Sequence, residues 1–172
     1  RQSLKVPEGK RALGGIGCHY MAVDSTESTE FFTQMGGEGT PWIGIAPFSH
    51  EKHVFANLGD GTYKHSGILA IRASLDANVN ITYKILYNDA VAMTGGQEIG
   101  SNWDVEGIVK QVLAEGVKKV SILSEDPKRY NQLVNNEVKS LHRDAIITEQ
   151  EELSQYEGCL LYTSDAADEF MG

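Results

Sequence analysis

Val54-Phe55-Ala56-Asn57-Leu58-Gly59-Asp60-Gly61 and, after a gap, Ile81-Thr82-Tyr83-Lys84-Ile85-Leu86-Tyr87-Asn88 form the stretch that decides the fold. Each half is an apolar, β-rich run that ends on a polar side chain. Between them Ile68, Leu69, Ile71 and Leu75 predict a helix with a wide apolar face. A strand, a crossover helix and a second strand make the unit of a parallel sheet, and this one delivers Asp60 and Asn88 to the carboxyl edge, where α/β folds place ligands. The missing Cβ atoms of Gly59 and Gly61 let main-chain N–H groups approach a phosphate there. Mg²⁺ takes hard oxygen ligands, commonly one or two from the protein and the rest from phosphates and water, so a carboxylate and an amide oxygen suit a magnesium–diphosphate site. An Asp at a tight turn and an Asn at a strand end are also common for conformational reasons alone. Their flanking motifs separate the two readings.

Working outward, Gly14-Gly15-Ile16-Gly17-Cys18-His19-Tyr20-Met21-Ala22 and Met35-Gly36-Gly37-Glu38-Gly39 precede the pair. Gly61-Thr62-Tyr63-Lys64-His65-Ser66-Gly67 and Tyr87-Asn88-Asp89-Ala90-Val91-Ala92-Met93-Thr94-Gly95-Gly96-Gln97 surround it. This ordered set resembles the thiamine diphosphate-binding C-terminal domain of the indolepyruvate ferredoxin oxidoreductases in their long fused form. The likeness is dense over 11–105 and thinner to about 145, and Asp89 stands where many members carry a second Asn.

The resemblance implies a thiamine diphosphate-binding fold in which Asp60, Asn88 and the main-chain carbonyl of Ala90 ligate Mg²⁺. It implies that Gly59, Gly61, Thr62 and Tyr63 meet the diphosphate, with Gly37 and Gly39 as a further phosphate-approaching loop. Gly17, Cys18 and His19 would line the thiazolium side. The implied activity is oxidative decarboxylation of an aryl 2-oxoacid such as indolepyruvate to its acyl-CoA, with electrons passed to ferredoxin or an equivalent acceptor. The implied partners are the 2-oxoacid, coenzyme A, ferredoxin, and the remaining domains or subunits of the enzyme. No Glu here matches the residue that activates the cofactor, so the chain is expected to be inactive alone. Another 2-oxoacid ferredoxin oxidoreductase fits the same metal motif, and the glycine loops by themselves fit a noncatalytic phosphate- or nucleotide-binding module.

A chain of 172 residues, 41% of them apolar, is long enough for one domain with its own core. A formal charge of −9 argues against nonspecific nucleic-acid binding, which needs cations to replace counterions. An anionic cofactor would therefore rely on Mg²⁺ and main-chain N–H groups. No apolar run reaches membrane-spanning length and no leader pattern is present, so a cytoplasmic location with no membrane partner is expected. Cys18 and Cys159 lack cluster spacing, which puts any iron–sulfur centre outside this chain. His50, His53 and His142 lack the spacing of a zinc site.

The alternation of strand and helix predicts an α/β, doubly wound, mostly parallel sheet flanked by helices. Lys10 to Ala22 is expected to hold a short strand and a glycine turn, while Ser25 to Gln34 fits helix or loop. Prolines at both ends of Pro41 to Phe48 favour a loop or short helix. Val105, Ile108, Val109, Val112 and Leu113 predict an amphipathic helix stopped by Gly116, and Lys118 to Ser124 a strand, with Asp126-Pro127 opening the next element. Residues 1–150 are expected to form the cofactor-binding domain, incomplete at its start. Cys159-Leu160-Leu161-Tyr162-Thr163-Ser164-Asp165-Ala166-Ala167-Asp168-Glu169 resembles a translated sequencing adaptor, and 151–172 is expected to be a disordered or non-native tail.

Overall fold

The structure, a computed structural model, describes residues 2–17, 19–20, 29–88, 90–91, 97–98 and 104–165. Its framework is a seven-stranded sheet in which every pairing is parallel. The elements in chain order are β1 (Ala12–Gly14), β2 (Thr29–Phe32), α1 (Thr40–Ile45), β3 (Val54–Gly59), α2 (Asp60–Thr62), α3 (Ile68–Asp76) and β4 (Ile81–Tyr87). There follow β5 (Ala90–Val91), β6 (Gln97–Glu98), α4 (Val105–Ala114), β7 (Val120–Ser124), β8 (Val138–His142), α5 (Ile146–Leu153) and β9 (Cys159–Asp165). Strand order across the sheet is β2-β1-β3-β4-β9-β7-β8, and β5 and β6 form a separate antiparallel pair.

The predicted α/β class is observed, and the register explains the deciding stretch. Val54 pairs with Ile81 and Gly59 with Leu86, so β3 and β4 run side by side and end together. Val54, Ala56 and Leu58 alternate with Phe55 and Asn57, and all are buried, as a strand covered on both faces requires. One face packs with Ile81, Tyr83, Ile85, Val120 and Ile122 against Trp42 of α1, Ala70 and Ile71 of α3, and Val105, Ile108, Val109 and Val112 of α4. The other face is covered by α5, where Ile146 and Leu153 meet Leu123. Beneath β4 the amino group of the fully buried Lys84 donates to the main-chain oxygen of Lys5 at 2.8 Å.

Most local expectations hold for physical reasons visible in the bonds. Asp104 caps α4 by accepting from the Gly107 N–H at 2.8 Å, an interaction typically worth about 1 kcal/mol. Gly116, at φ 101°, ends that helix in a conformation that favours glycine. Asp126 caps the 3₁₀ helix Pro127–Leu133 through the Lys128 N–H. Pro41 to Phe48 forms α1 and a 3₁₀ turn, Ala46–Phe48.

Two expectations differ from what is found. Ser25 to Gln34, read as helix or loop, contains the edge strand β2, whose four residues pair only with β1; residues 21–28 lie outside the described residues. The second concerns 151–172. The disorder expected there does not extend through 165, because α5 runs to Leu153 and Cys159–Asp165 forms β9, hydrogen-bonded between β4 and β7. The physical reason is the sheet itself: β4 and β7 do not pair with each other, and a strand between them satisfies main-chain groups on both sides. Residues 166–172 lie outside the described residues.

Candidate functional site

All four strands β1 to β4 end on one edge, and the loops leaving them carry the glycine motifs. The chain runs outward from β1 to β2 and then returns to β3 on the other side of β1, which makes the carboxyl ends of β1 and β3 a topological switch point, the usual place for a ligand crevice.

Asp60 stands at the corner. Gly59 is extended, with φ −73° and ψ 150°, and the helix begins at Asp60 itself. One carboxylate oxygen accepts from the Gly61 N–H at 2.7 Å, and the other accepts from the Asn88 main-chain N–H at 2.7 Å. Two residues 28 apart in sequence are thus tied at the ends of adjacent strands, with Asp60 only 5% exposed. The donor set offered here is a carboxylate and an amide oxygen, with the helix N-terminus beside them; this is hard-oxygen chemistry of the kind Mg²⁺ takes with a diphosphate. Among the described residues, a Cβ on Gly59 would meet nothing closer than Thr62 Oγ1 at 4.0 Å. The residues present fit a Mg²⁺–diphosphate group. Among the described residues no group of three or more His, Cys, Asp and Glu side chains could hold a metal, so any such ion would depend on other oxygen donors.

The helix that starts at Asp60 continues through a π turn, Tyr63–Gly67, into α3. Tyr63 sends its ring inward, where its hydroxyl donates to Gln111 Oε1 at 2.9 Å, and burial pushes its pKa well above the usual range. Its main-chain N–H donates to the Asp60 carbonyl, so the N–H expected from the sequence to meet the diphosphate is spent closing the first turn of the helix. Thr62 is buried beside it.

The second wall is the loop after β2. Gly36 has φ 90°, and a Cβ there would lie 2.1 Å from Ser66 Oγ, so the loop rests directly on the π turn that follows Asp60. Gly39 begins α1, and the Gly37 carbonyl accepts from Thr40 Oγ1 at 2.7 Å.

The third wall is the loop after β1. His19 is buried, its Nε2 accepts from the Gly15 N–H at 3.1 Å, and desolvation lowers its pKa to about 4. A neutral ring that accepts from its own loop shapes that loop and carries no charge to a ligand. Gly17 packs over the same ring. Cys18 lies outside the described residues. Ala90 begins β5, two residues beyond Asn88.

Sequence reasoning gave no role to Glu38, Ser66 or Tyr83, which hold these walls together. Tyr83 is fully buried, and its hydroxyl donates to the Glu38 carbonyl at 3.0 Å. The alternation of β4 could have placed Tyr83 on the same face as Ile81 and Ile85. Nothing in the sequence marks Ser66 as the seat of Gly36.

Comparison with known proteins gives two independent results. The model of the family described as "Thiamine pyrophosphate enzyme, C-terminal TPP binding domain" matches residues 15–135. No curated protein matches the chain. Among solved structures, the chain is similar to the 2-oxoglutarate:ferredoxin oxidoreductase of Magnetococcus marinus, solved with 2-oxoglutarate, coenzyme A and succinyl-CoA bound: TM-score 0.66, 19% identity, covering 94% of this chain and 54% of that one. It is also similar to a protein of Mycobacterium smegmatis described as thiamin diphosphate-dependent, with TM-score 0.62 and 19% identity, over 94% of this chain and 29% of that one. At such identities the likeness is one of fold, and this chain spans about half the length of the first relative and less of the second.

Proposed function

The chain belongs to the thiamine pyrophosphate enzymes, whose C-terminal TPP binding domain it matches over residues 15–135, and from that premise we propose that it holds the Mg²⁺–diphosphate end of thiamine diphosphate in a 2-oxoacid:ferredoxin oxidoreductase. One observation carries the reading: Asp60 and Asn88, from the ends of two adjacent strands, are joined by a 2.7 Å hydrogen bond at a helix N-terminus.

Each element of this edge has a task in that reading. Asp60 and the Asn88 side chain, with the Ala90 carbonyl, are the groups that would hold Mg²⁺. The Gly61 and Asn88 N–H groups orient the Asp60 carboxylate, so that its oxygens are fixed before an ion arrives. The N–H group of Thr62, at the start of the helix, would receive the diphosphate, in a chain whose charge of −9 otherwise repels anions. Gly37, Gly39 and Gly17 let the two neighbouring loops pack closely on Gln34, Tyr83 and His19, and in this reading those loops would flank the cofactor. When bound, thiamine diphosphate supplies the electron sink for decarboxylation of a 2-oxoacid. The motifs from Gly14 to Gln97 favour an aryl 2-oxoacid such as indolepyruvate as that substrate, with coenzyme A and ferredoxin as the acyl and electron acceptors.

Calorimetric titration of Mg²⁺ and thiamine diphosphate tests the assignment. Asp60→Ala is expected to weaken binding by about a hundredfold or more, since loss of supporting contacts alone costs 10- to 100-fold. Its far-UV circular dichroism should match that of wild type. Unchanged affinity in Asp60→Ala would remove the metal assignment. Turnover of a 2-oxoacid is expected only when the remaining parts of the enzyme are supplied, because catalysis needs both walls of the cleft held within fractions of an ångström.

A further inference from the structure

We propose that Glu38 is a positioning residue, a clamp that joins the glycine loop after β1 to the glycine loop after β2 and holds both in the shape that receives the cofactor. The proposal rests on the cofactor reading above and adds to it a residue that touches neither metal nor phosphate.

Glu38 is fully buried at the meeting point of the two loops. From its own loop, the Gly36 N–H donates to Oε2 at 2.7 Å. From the other, Gly15 presses on the carboxyl group so closely that a Cβ there would lie 2.0 Å from Oε1 and 2.5 Å from Cδ. Only glycine lets the main chain of that loop come so near. Glu38 is anchored from beneath as well, since its carbonyl accepts from the Tyr83 hydroxyl, which also reaches the Ala70 carbonyl at 3.1 Å. Its position is therefore set by the core and transmitted upward to the loops.

The protonation state follows from the surroundings. Oε1 is buried with no hydrogen-bond partner among the described residues. Among the described residues no cation is bonded to the group; its favourable contacts are the N–H groups of Gly36 and of Glu38 itself. His19, a buried titratable group of the β1 loop, has its pKa lowered to about 4 and its Nε2 committed to the Gly15 N–H. Burial pushes the Glu38 carboxyl above the usual carboxylate range. An ionised carboxylate in such a place would carry a large desolvation cost, whereas the neutral acid keeps the one acceptor that the clamp uses.

Two measurements on the full chain test the clamp. In the first, Mg²⁺ and thiamine diphosphate are titrated into Glu38→Gln and Glu38→Ala. Glu38→Gln, neutral and of the same shape, is expected to stay within about threefold of wild-type affinity, while Glu38→Ala weakens it about tenfold or more. Equal loss in both variants would overturn the neutral clamp, and wild-type affinity in Glu38→Ala would overturn the clamp itself. In the second, thermal midpoints of Gly15→Ala, Glu38→Ala and the double variant form a cycle that needs no cofactor. Gly15→Ala is expected to lower the midpoint markedly by itself and much less once the Glu38 side chain is gone. Additive losses would overturn the contact. Failure of wild type to bind the cofactor counts against the functional reading, and the cycle still decides the clamp.

Discussion

The carboxyl edge of β1 to β4 and the part of the sheet beyond β4 share one parallel framework, and their buried polar groups are used differently. On the first edge Glu38, His19 and Asp60 are met chiefly by main-chain N–H groups, and they fix loops. Beyond β4 the buried Glu149 is met by side chains: Ser121 Oγ donates to its Oε1 at 2.6 Å, and Lys139 lies 3.5 Å from it. Side-chain pairs of that kind tie a helix to a sheet. Side chains that hold main-chain N–H groups preset a surface for something else to bind. The first region therefore carries the site, and the second supports it.

Removing β9 is the strongest way to break this division. Its main chain bonds to β4 on one side and β7 on the other, so deleting 159–172 would leave β7, β8 and α5 joined to the site region without a continuous sheet. The expected outcome is loss of a single cooperative unfolding transition, read by circular dichroism and calorimetry together. An unchanged midpoint would mean that the supporting region does not depend on this strand, and would restore the reading of 159–172 as an appended tail.

That strand also marks where the sequence stops being informative. Cys159 to Asp165 has no alternation of its own to announce a strand and resembles foreign sequence; only the gap between β4 and β7 gives it a place. β2 was illegible for a different reason, being four residues long with Phe31 half exposed on an open edge. β8 mixes Lys139 and Ser140 into a strand covered on one side, so its pattern is weak. By contrast β3, β4 and α4 are long and periodic, and were legible to within two residues. At the site, the meeting of Asp60 and Asn88 was legible because each closes a β-rich run of one strand–helix–strand unit. Glu38 was not, because a Glu among glycines in an acidic chain looks like any surface carboxylate until its burial is seen.

Acidification should act on both edges of the sheet. His19 lies at the carboxyl edge, and His53, bonded to Thr82 Oγ1 at 2.8 Å, precedes β3 at the opposite edge. Burial lowers each pKa from 6.5 to about 4, with Lys10 adding to the effect at His53. In the unfolded chain both would take up protons near pH 6.5, but the folded chain resists until about pH 4. Stability is therefore expected to fall as pH drops through this window, by on the order of 3 kcal/mol for each histidine. Glu38 has the opposite sign, because its raised pKa favours the folded state at low pH, and it offsets part of the loss. Chemical denaturation at pH 7, 6, 5 and 4 measures the sum, and His19→Gln and His53→Gln should each flatten the profile. A profile unchanged by His19→Gln and by His53→Gln would show that neither histidine is buried as described.

The smallest effect concerns the ties between α4 and the helix that leaves the site. Tyr63 donates to Gln111 from a buried ring, and Arg72 pairs with Glu115 in solvent through two contacts, one of them 2.8 Å from Nε. Tyr63→Phe leaves the partly buried Gln111 without that donor, which typically costs about 1 kcal/mol, or a fall of roughly 2–4 °C in the midpoint of a chain this size. Arg72→Ala is expected to do less, because exposed ion pairs are screened and hold two flexible side chains in place. Neither should alter affinity for Mg²⁺ and thiamine diphosphate, since neither side chain is among the groups assigned to the metal or the diphosphate. If Tyr63→Phe weakened cofactor binding as strongly as it lowered the midpoint, the tie to α4 would be part of the site, and the boundary between the two regions would move from β4 to α4.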